Sequence, residues 1–343
     1  MPALRLEIAD CSAPAGADPR LPVALRRLVR EPDGGSGLEL VLRGRTWMDR
    51  AGPLSAVRLW SSDRLVFTGR ITAEETFAAG PDAGKTVLAD GPFGLARLIV
   101  VTDAAGRPKI RYGSTTVGAA LADLLTRHGP TLQSLHAAGA DFFSEPDLDK
   151  LTATVDRLWF ENRDLAGAVT DLLARGPYRL AIDPVSLAWR MRSENDLPVC
   201  NLDLGPGGPF GLAEVRVFES VADACSAVRL VGDQVSARYP AAGFAGAMLQ
   251  TAGLALERPI DCRDPREVTT ARALEYFRRH ARPNRQVRLT LTGPLTPDPL
   301  IGICRITPSG SDRPDLANGK TFLADRAEYD FAAGTLTLEL KTL

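Results

Sequence analysis

Gly84-Lys85-Thr86 is the stretch that comes closest to a phosphate-binding signature. A phosphate loop needs a glycine, four residues, then Gly-Lys-Ser/Thr, so that successive backbone N–H groups wrap the phosphates and a helix follows. Here position 79 is Ala79, Gly80 stands one residue too close, and Val87-Leu88-Ala89 continues as a strand. A second tripeptide, Gly319-Lys320-Thr321, fails in the same way, and the preceding Asn318-Gly319 is a favoured hairpin turn. Both are read as a turn running into a strand.

The remaining reactive side chains are dispersed. His128, His136 and His280 lack a carboxylate or cysteine at ligand spacing. His128 and His280 fall near predicted helix C-termini, where a cation suits the dipole, so capping or surface exposure is expected of them. Cys11, Cys200, Cys225, Cys262 and Cys304 are odd in number and contain no C-x-x-C pair. They read as buried thiols of a protein made in a reducing cytosol, not as a zinc site or disulfide framework. There is no Gly-x-Ser-x-Gly elbow and no His-Glu-x-x-His. Glu74-Glu75 are neighbours on a predicted strand, face opposite ways and read as solvated. Arg278, Arg279, His280, Arg282 and Arg285 form a basic cluster, read as the cationic end of a helix, with a nucleic-acid contact as the alternative. Trp47, Trp60, Trp159 and Trp189 sit in or beside predicted strands and read as core rather than ligand platforms. No catalytic, cofactor-binding or metal-ligating residue is assigned, and no cofactor is expected.

Hydrophobic content of 45% and charged content of 24% are those of an ordinary globular protein. At 343 residues the chain exceeds the size at which single cores stop growing, roughly 250–300 residues, so two or three domains are expected. A formal net charge of −1 carries no polybasic or polyacidic signature. The N-terminus has no apolar signal core, and no apolar run reaches the roughly 18–20 residues that span a bilayer.

The elements that must position these residues are mostly strands. Leu4, Leu6 and Ile8 alternate with polar residues, as do Leu38, Leu40 and Leu42, the period of a half-buried strand. Residues 22–30 are a further strand, and Glu31-Pro32-Asp33-Gly34-Gly35 a turn. Residues 56–60 and 65–73 form a hairpin around Ser61-Ser62-Asp63, and residues 85–90 follow. The middle changes period. Residues 115–128 carry Val117, Leu121, Leu124 and Leu125 on one helical face, capped by Ser114 or Thr115 and stopped by Gly129-Pro130. Residues 163–175 repeat the recipe with Leu165, Val169, Leu172 and Leu173, Asn162 as cap and Gly176-Pro177 as stop. A strand at 153–160 precedes this helix, and strands at 178–183 and 187–193 follow it.

Beyond Gly205-Pro206-Gly207-Gly208-Pro209 strands return at 214–219, 226–231 and 234–239. Asp264-Pro265 opens a helix over 266–281, whose face with Val268, Ala271, Leu274 and Phe277 should pack inward. Strands then follow at 287–292, 300–306, 320–329 and 336–340. The stretches 129–150 and 240–262 exceed the usual connection of about 4–6 residues and are expected to meet a neighbouring subunit.

One stretch occurs twice. Arg70-Ile71-Thr72, eleven residues, then Gly84-Lys85-Thr86-Val87-Leu88-Ala89-Asp90 matches Arg305-Ile306-Thr307, eleven residues, then Gly319-Lys320-Thr321-Phe322-Leu323-Ala324-Asp325. Nine positions of 21 are identical without a gap, at a constant separation of 235. Unrelated sequence would match at about one or two. The reading is one β-rich module used near both ends of the chain.

This arrangement resembles the tail hub proteins of phages and contractile injection systems, the late control protein D family. The resemblance rests on the hairpin Val57–Trp60 to Leu65–Ile71 with the helix 115–128 after it. It rests also on the unit from Leu158-Trp159-Phe160 through Leu172-Leu173 to Tyr178-Arg179-Leu180, and on the closing order of helix 266–281 and four strands ending in Leu338-Glu339-Leu340. It implies a mainly β fold in which two tube-like antiparallel β-barrel domains, 1–95 and 204–343, flank a smaller α/β insert, 96–203. It further implies a non-enzymatic homotrimer whose six barrels form a pseudo-sixfold ring. That ring joins a hexameric tail tube or distal tail protein to a trimeric spike, tip or fibre protein, with tape measure protein or DNA passing through the lumen. The place implied is the virion tail tip or baseplate, after synthesis in the bacterial cytoplasm, without membrane insertion by this chain. The chain ends just after its last strand, so a lysozyme or spike part would be a separate polypeptide. Two other readings stay open: a two-barrel carbohydrate-binding protein or glycan hydrolase with a cleft between domains, and a nucleic-acid-binding β-protein using Arg278–Arg285, against which the neutral charge argues.

Overall fold

The computed structural model describes residues 3–9, 11–18, 20–31, 35–77, 83–136, 146–155, 158–183, 185, 187–220, 225–232, 235–240, 257–262, 270–280, 284–293, 295, 304–316 and 320–342. The protein is mainly β, organised by a large curled antiparallel sheet of thirteen strands. The first part of that sheet contains β1 (Leu4–Ile8), β2 (Cys11–Ala15), β3 (Val23–Arg30), β4 (Ser36–Arg43), β5 (Ala56–Ser61), β6 (Arg64–Phe77) and β7 (Gly84–Asp90), with helix α1 (Arg45–Arg50) between β4 and β5. The period-two leucines explain the buried face: Leu38, Leu40 and Leu42 all point into the core. Burying each contributes about 1.5–3 kcal/mol. The β5–β6 turn is two residues long, Ser62 and Asp63, and Ser62 takes φ 53°, the left-handed value such tight hairpins demand.

An α/β unit follows: α2 (Pro92–Ala96), β8 (Lys109–Tyr112), β9 (Thr115–Thr116), α3 (Val117–His136), β10 (Thr154–Val155), β11 (Leu158–Glu161), α4 (Leu165–Leu173), β12 (Tyr178–Ile182) and β13 (Trp189–Ser193). It has its own core, built on Phe93, Leu121, Leu124, Val169, Leu172 and Trp189. Three helix ends differ from expectation. α3 does not stop at Gly129-Pro130 but runs through Pro130 to His136, because Leu132 continues the buried stripe into the same core. Thr116 rather than Ser114 or Thr115 caps it, its Oγ1 accepting from the Ala119 N–H at 3.2 Å. Asp164, not Asn162, caps α4: its Oδ1 accepts from the Gly167 N–H at 2.7 Å, while Asn162, two residues earlier, takes φ 50°. Of the stretch expected as a loop over 129–150, residues up to His136 are helical and Pro146–Lys150 is a 3₁₀ turn.

The last part contains β14 (Val199–Asp203), β15 (Gly211–Ser220), β16 (Ala227–Gly232), β17 (Val235–Pro240), β18 (Glu257–Asp261), α5 (Thr270–His280), β19 (Asn284–Thr292), β20 (Arg305–Ser309), β21 (Phe322–Asp330) and β22 (Thr335–Thr342). β14, at the end of the span assigned to the insert, pairs in parallel with β20 and so lies in the large sheet. β16, β17 and β18 form a separate small sheet. β18 falls in the stretch expected as a long excursion, and residues 241–256 lie outside the described residues. The small sheet has a core of Cys225, Val228, Leu230, Cys262, Ala273 and Phe277. Ala273 and Phe277, one helical turn apart, define the buried stripe of α5, which leaves Leu274 49% exposed instead of packed. The helix opening at Asp264-Pro265 and Val268 lies outside the described residues, as do Pro32, Asp33 and Gly34 of the first turn.

Two five-stranded arrays share one connectivity. β3, β4, β5, β6 and β7 stand side by side as β3-β4-β7-β6-β5, and β15, β19, β20, β21 and β22 stand as β15-β19-β22-β21-β20. The chain visits corresponding places in the same order both times. The likeness stops at the next strand, since β1 is antiparallel to β5 whereas β14 is parallel to β20. The module is therefore used twice, but the repeated sequence does not mark the equivalence. Its first copy lies on β6 and β7 and its second on β20 and β21, displaced by one place in the array. Registers differ too: Arg70 is opposite Asp90, whereas Arg305 is opposite Leu323. What the copies share is the chemistry of a strand alternating after a turn.

The arrays are joined edge to edge. One edge of β21 pairs with β20 at Phe322 and Leu323, then with β3 from Ala327 to Asp330. A single core runs under both, from Leu6 and Leu25 to Leu289 and Leu340.

Candidate assembly surfaces

Residues with chemical potential mostly serve the scaffold. Lys85 is only 12% exposed. Its Nζ donates to the carbonyls of Met48 (3.1 Å) and Ala51 (2.7 Å), closing the end of α1, and to Glu74 Oε2 at 3.2 Å. Lys320 donates to the Pro314 carbonyl at 3.0 Å. Lys85 lies in β7, as a strand-leading Gly-Lys-Thr would, whereas Asn318 and Gly319 lie outside the described residues. Glu75 is solvated as expected, and Glu74 is exposed but tied to Lys85.

His128 departs from its expected place. It lies within α3, buried, and its Nε2 accepts from the Thr102 N–H at 3.3 Å. Burial, aided by the Arg127 guanidinium, pushes its pKa below the usual histidine value, so the ring is a neutral acceptor. The thiols divide: Cys225, Cys262 and Cys304 are buried, while Cys11 and Cys200 are half-exposed rather than buried. Of the basic cluster, Arg285 pairs with Asp315 at 2.6 Å. Trp189 packs on Phe93 at 5.6 Å in the insert core. Trp60 and Trp159 are half-buried instead, the first under Arg5 at 4.9 Å and the second facing Lys109 (4.1 Å) and Arg111 (4.4 Å).

An open cleft of about 570 Å³ in the insert is lined by Asp103, Arg107, Tyr112, Asp123 and Arg127 among others. Its carboxylates are already engaged. Arg107 holds Asp103 at 2.7 Å and draws its pKa below the usual carboxylate range. Arg127 reaches Asp123 at 2.8 Å, and the Tyr112 hydroxyl donates to Asp123 at 2.9 Å. Burial and that bond push the Tyr112 pKa up, so it remains a donor. Glycan hydrolysis asks for a carboxylic acid with a raised pKa facing a second carboxylate, and the downward shift of Asp103 runs the other way. Among the described residues no group of His, Cys, Asp and Glu could hold a metal ion, and no helix is long and apolar enough to cross a membrane.

The open features are strand edges. β15 pairs with β19 on one side and with nothing described on the other. Its Val217 and Phe218 are 38% and 62% exposed. Beyond Ile71, β6 is paired with β7 alone, and Thr72 to Thr76 are exposed. An edge of this kind presents unmatched N–H and C=O groups to any strand that can align with it. Sequence alternation indicates strands but not which edge is left over, so neither edge was legible beforehand.

Solved structures share this arrangement. A tail protein from Neisseria meningitidis MC58 superposes with a TM-score of 0.65 at 12% identity, covering 99% of this chain and 96% of that one. A 43 kDa tail protein of prophage MuSo2 from Shewanella oneidensis gives 0.60 at 10% identity, covering 99% and 97%. An E. coli component of the type VI secretion system, described as structurally similar to T4 bacteriophage tail proteins, gives 0.54 at 13% identity, covering 98% and 76%. No protein-family model matches the chain, and no curated protein matches it. At such identities the likeness is one of fold: the chain is built as phage tail proteins are.

Proposed function

We propose that this chain is a structural tail hub, a homotrimeric ring that joins a hexameric tail tube to a trimeric spike or tip. The carrying observation is that one chain holds two arrays of identical strand connectivity, joined edge to edge through β3 and β21. Three such chains present six similar arrays, so a threefold ring offers approximate sixfold symmetry on one face. The fold shared with phage tail proteins supports the same reading. The domain division proposed is 1–95 and 204–343 for the tube-like parts and 96–203 for the insert, whose last strand, β14, crosses into the large sheet. The role is one of assembly rather than catalysis, carried out at the tail tip of a particle made in the bacterial cytoplasm.

Mass photometry and negative-stain imaging of the purified protein, alone and with its tube protein, test this. Rings of three chains, or a three-chain cap on tubes, are expected. A protein that stays monomeric under both conditions overturns the proposal.

A further inference from the structure

The joint between the two arrays has a counterpart that the single chain leaves open. Inside the chain, the outer edge of β3 pairs with the second half of β21, from Arg30 opposite Ala327 to Arg27 opposite Asp330. By place in the array, β15 corresponds to β3 and β6 corresponds to β21. The outer edge of β15 and the end of β6 beyond Ile71 are both left without a partner strand among the described residues, as are the outer edges of β2, β14, β17 and β18, but only β15 and β6 occupy the places of the joined pair. We infer that they pair with each other between copies, β15 of one chain lying antiparallel to residues Ala73–Phe77 of the next. The inference rests on the ring reading above and assigns the joint that would close the ring.

The bulges set the register. β3 bulges against β4 at Arg26, and β15 against β19 at Ala213. β21 bulges against β22 at Asp325, and β6 against β7 at Thr72. Bulges re-aim a strand at one fixed place, so they are the natural points to superpose. Superposition lays Glu214–Val217 on Arg27–Arg30, and Glu74–Phe77 on Ala327–Asp330. The internal pairs then become Val217 opposite Glu74, Arg216 opposite Glu75, Val215 opposite Thr76 and Glu214 opposite Phe77.

The side chains suit this register. Arg216 and Glu75 have opposite charges and are both exposed; Arg216 pairs with Glu214 along its own strand at 2.7 Å, and in this register it would lie directly opposite Glu75. The internal joint also carries an ion pair, but a diagonal one, Arg27 with Glu328 at 3.4 Å, and its two places are taken by Glu214 and Glu75 in the joint between copies, so there the charge match rests on Arg216. β15 is ten residues long, exposes Val217 and Phe218, and holds neither Lys nor Pro. Because the two edges differ, the contact is head-to-tail, the kind that closes a ring when its rotation allows.

The test places cysteines across the joint in a background with Cys11 and Cys200 changed to Ser. E75C/R216C is expected to give covalently linked dimers and trimers with a short bismaleimide, and neither single variant should. In the native background, E75R and R216E should each weaken assembly about fivefold per joint, and E75R/R216E should restore it. Rings that form without cross-linking, and that tolerate E75R, overturn this joint while leaving the ring reading intact. Absence of any ring, alone or with the tube protein, overturns both.

Discussion

Arg179 bridges the α/β insert to the strand shared by both β-arrays: its guanidinium donates to Asp325 Oδ1 at 2.8 Å and to Glu194 Oε1 at 2.8 Å. Asp325 is the bulge residue of β21, so the insert grips the large sheet where that strand is already bent. Arg179 is 15% exposed, and a guanidinium fork can serve two carboxylates at once. Arg179→Ala should destabilise the fold by about 2 kcal/mol. Arg179→Lys, with one compact charge, should recover only part of that loss. Urea midpoints measured for the three proteins decide it, and equal midpoints would remove the bridge from the account.

Lys85 offers a second check, this one on a residue that looks chemical in sequence. Its ammonium is coordinated by two carbonyls and Glu74, which fixes the end of α1. Lys85→Met keeps the aliphatic stem and leaves the Met48 and Ala51 carbonyls unserved. The expected cost is about 2 kcal/mol. Faster amide exchange should be confined to residues 45–55 and the adjoining end of β7. Exchange that rises evenly across the chain would show that the clasp is not local.

His128 sets a pH dependence whose sign follows from burial. Its pKa is depressed in the folded protein relative to the ordinary 6.5, so the unfolded chain binds the proton more readily. The stabilisation is whole above about pH 6.5 and is lost as pH falls through the depressed folded value. His128→Gln keeps an oxygen to accept from the Thr102 N–H and removes the titration. Stability measured at pH 7, 6 and 5 should fall more steeply for the native protein than for the variant. Parallel curves would exclude His128 as the source.

These cases show which features the sequence carried. Val287, Leu289 and Leu291 alternate in sequence and are all buried on β19, because a strand against a core has only that pattern available. Pro130 misled, since a proline inside a helix costs one hydrogen bond, a loss that burial of Leu132 offsets. The repeat misled more instructively. Identical residues from Arg70 and Arg305 sit on strands that are not equivalent, whereas the bulges at Thr72 and Asp325 that do correspond share no residue type. Bulge position is set by pairing across the sheet, and local composition does not encode it. For the same reason the unpaired edges of β15 and β6, the candidate site, were invisible until the pairing was known.

Gly69 on β6 faces the end of β7 with no room for a side chain. A methyl group on it would overlap the Asp90 carbonyl oxygen and meet Phe67 Cζ at 2.7 Å. Neither neighbour can retreat freely, since Asp90 is paired with Arg70 and Gly37 in the ladder and Phe67 lies in the shared core. Gly69→Ala should therefore destabilise the fold by about 1–3 kcal/mol. Gly37→Ala is the matched control on a neighbouring strand, for there the nearest atom to a new methyl is Asp90 Oδ1 at an ordinary 3.9 Å. Thermal denaturation should place Gly69→Ala several degrees below the native protein and Gly37→Ala close to it. The reverse order would mean that the contact between β6 and β7 is looser than the distances show.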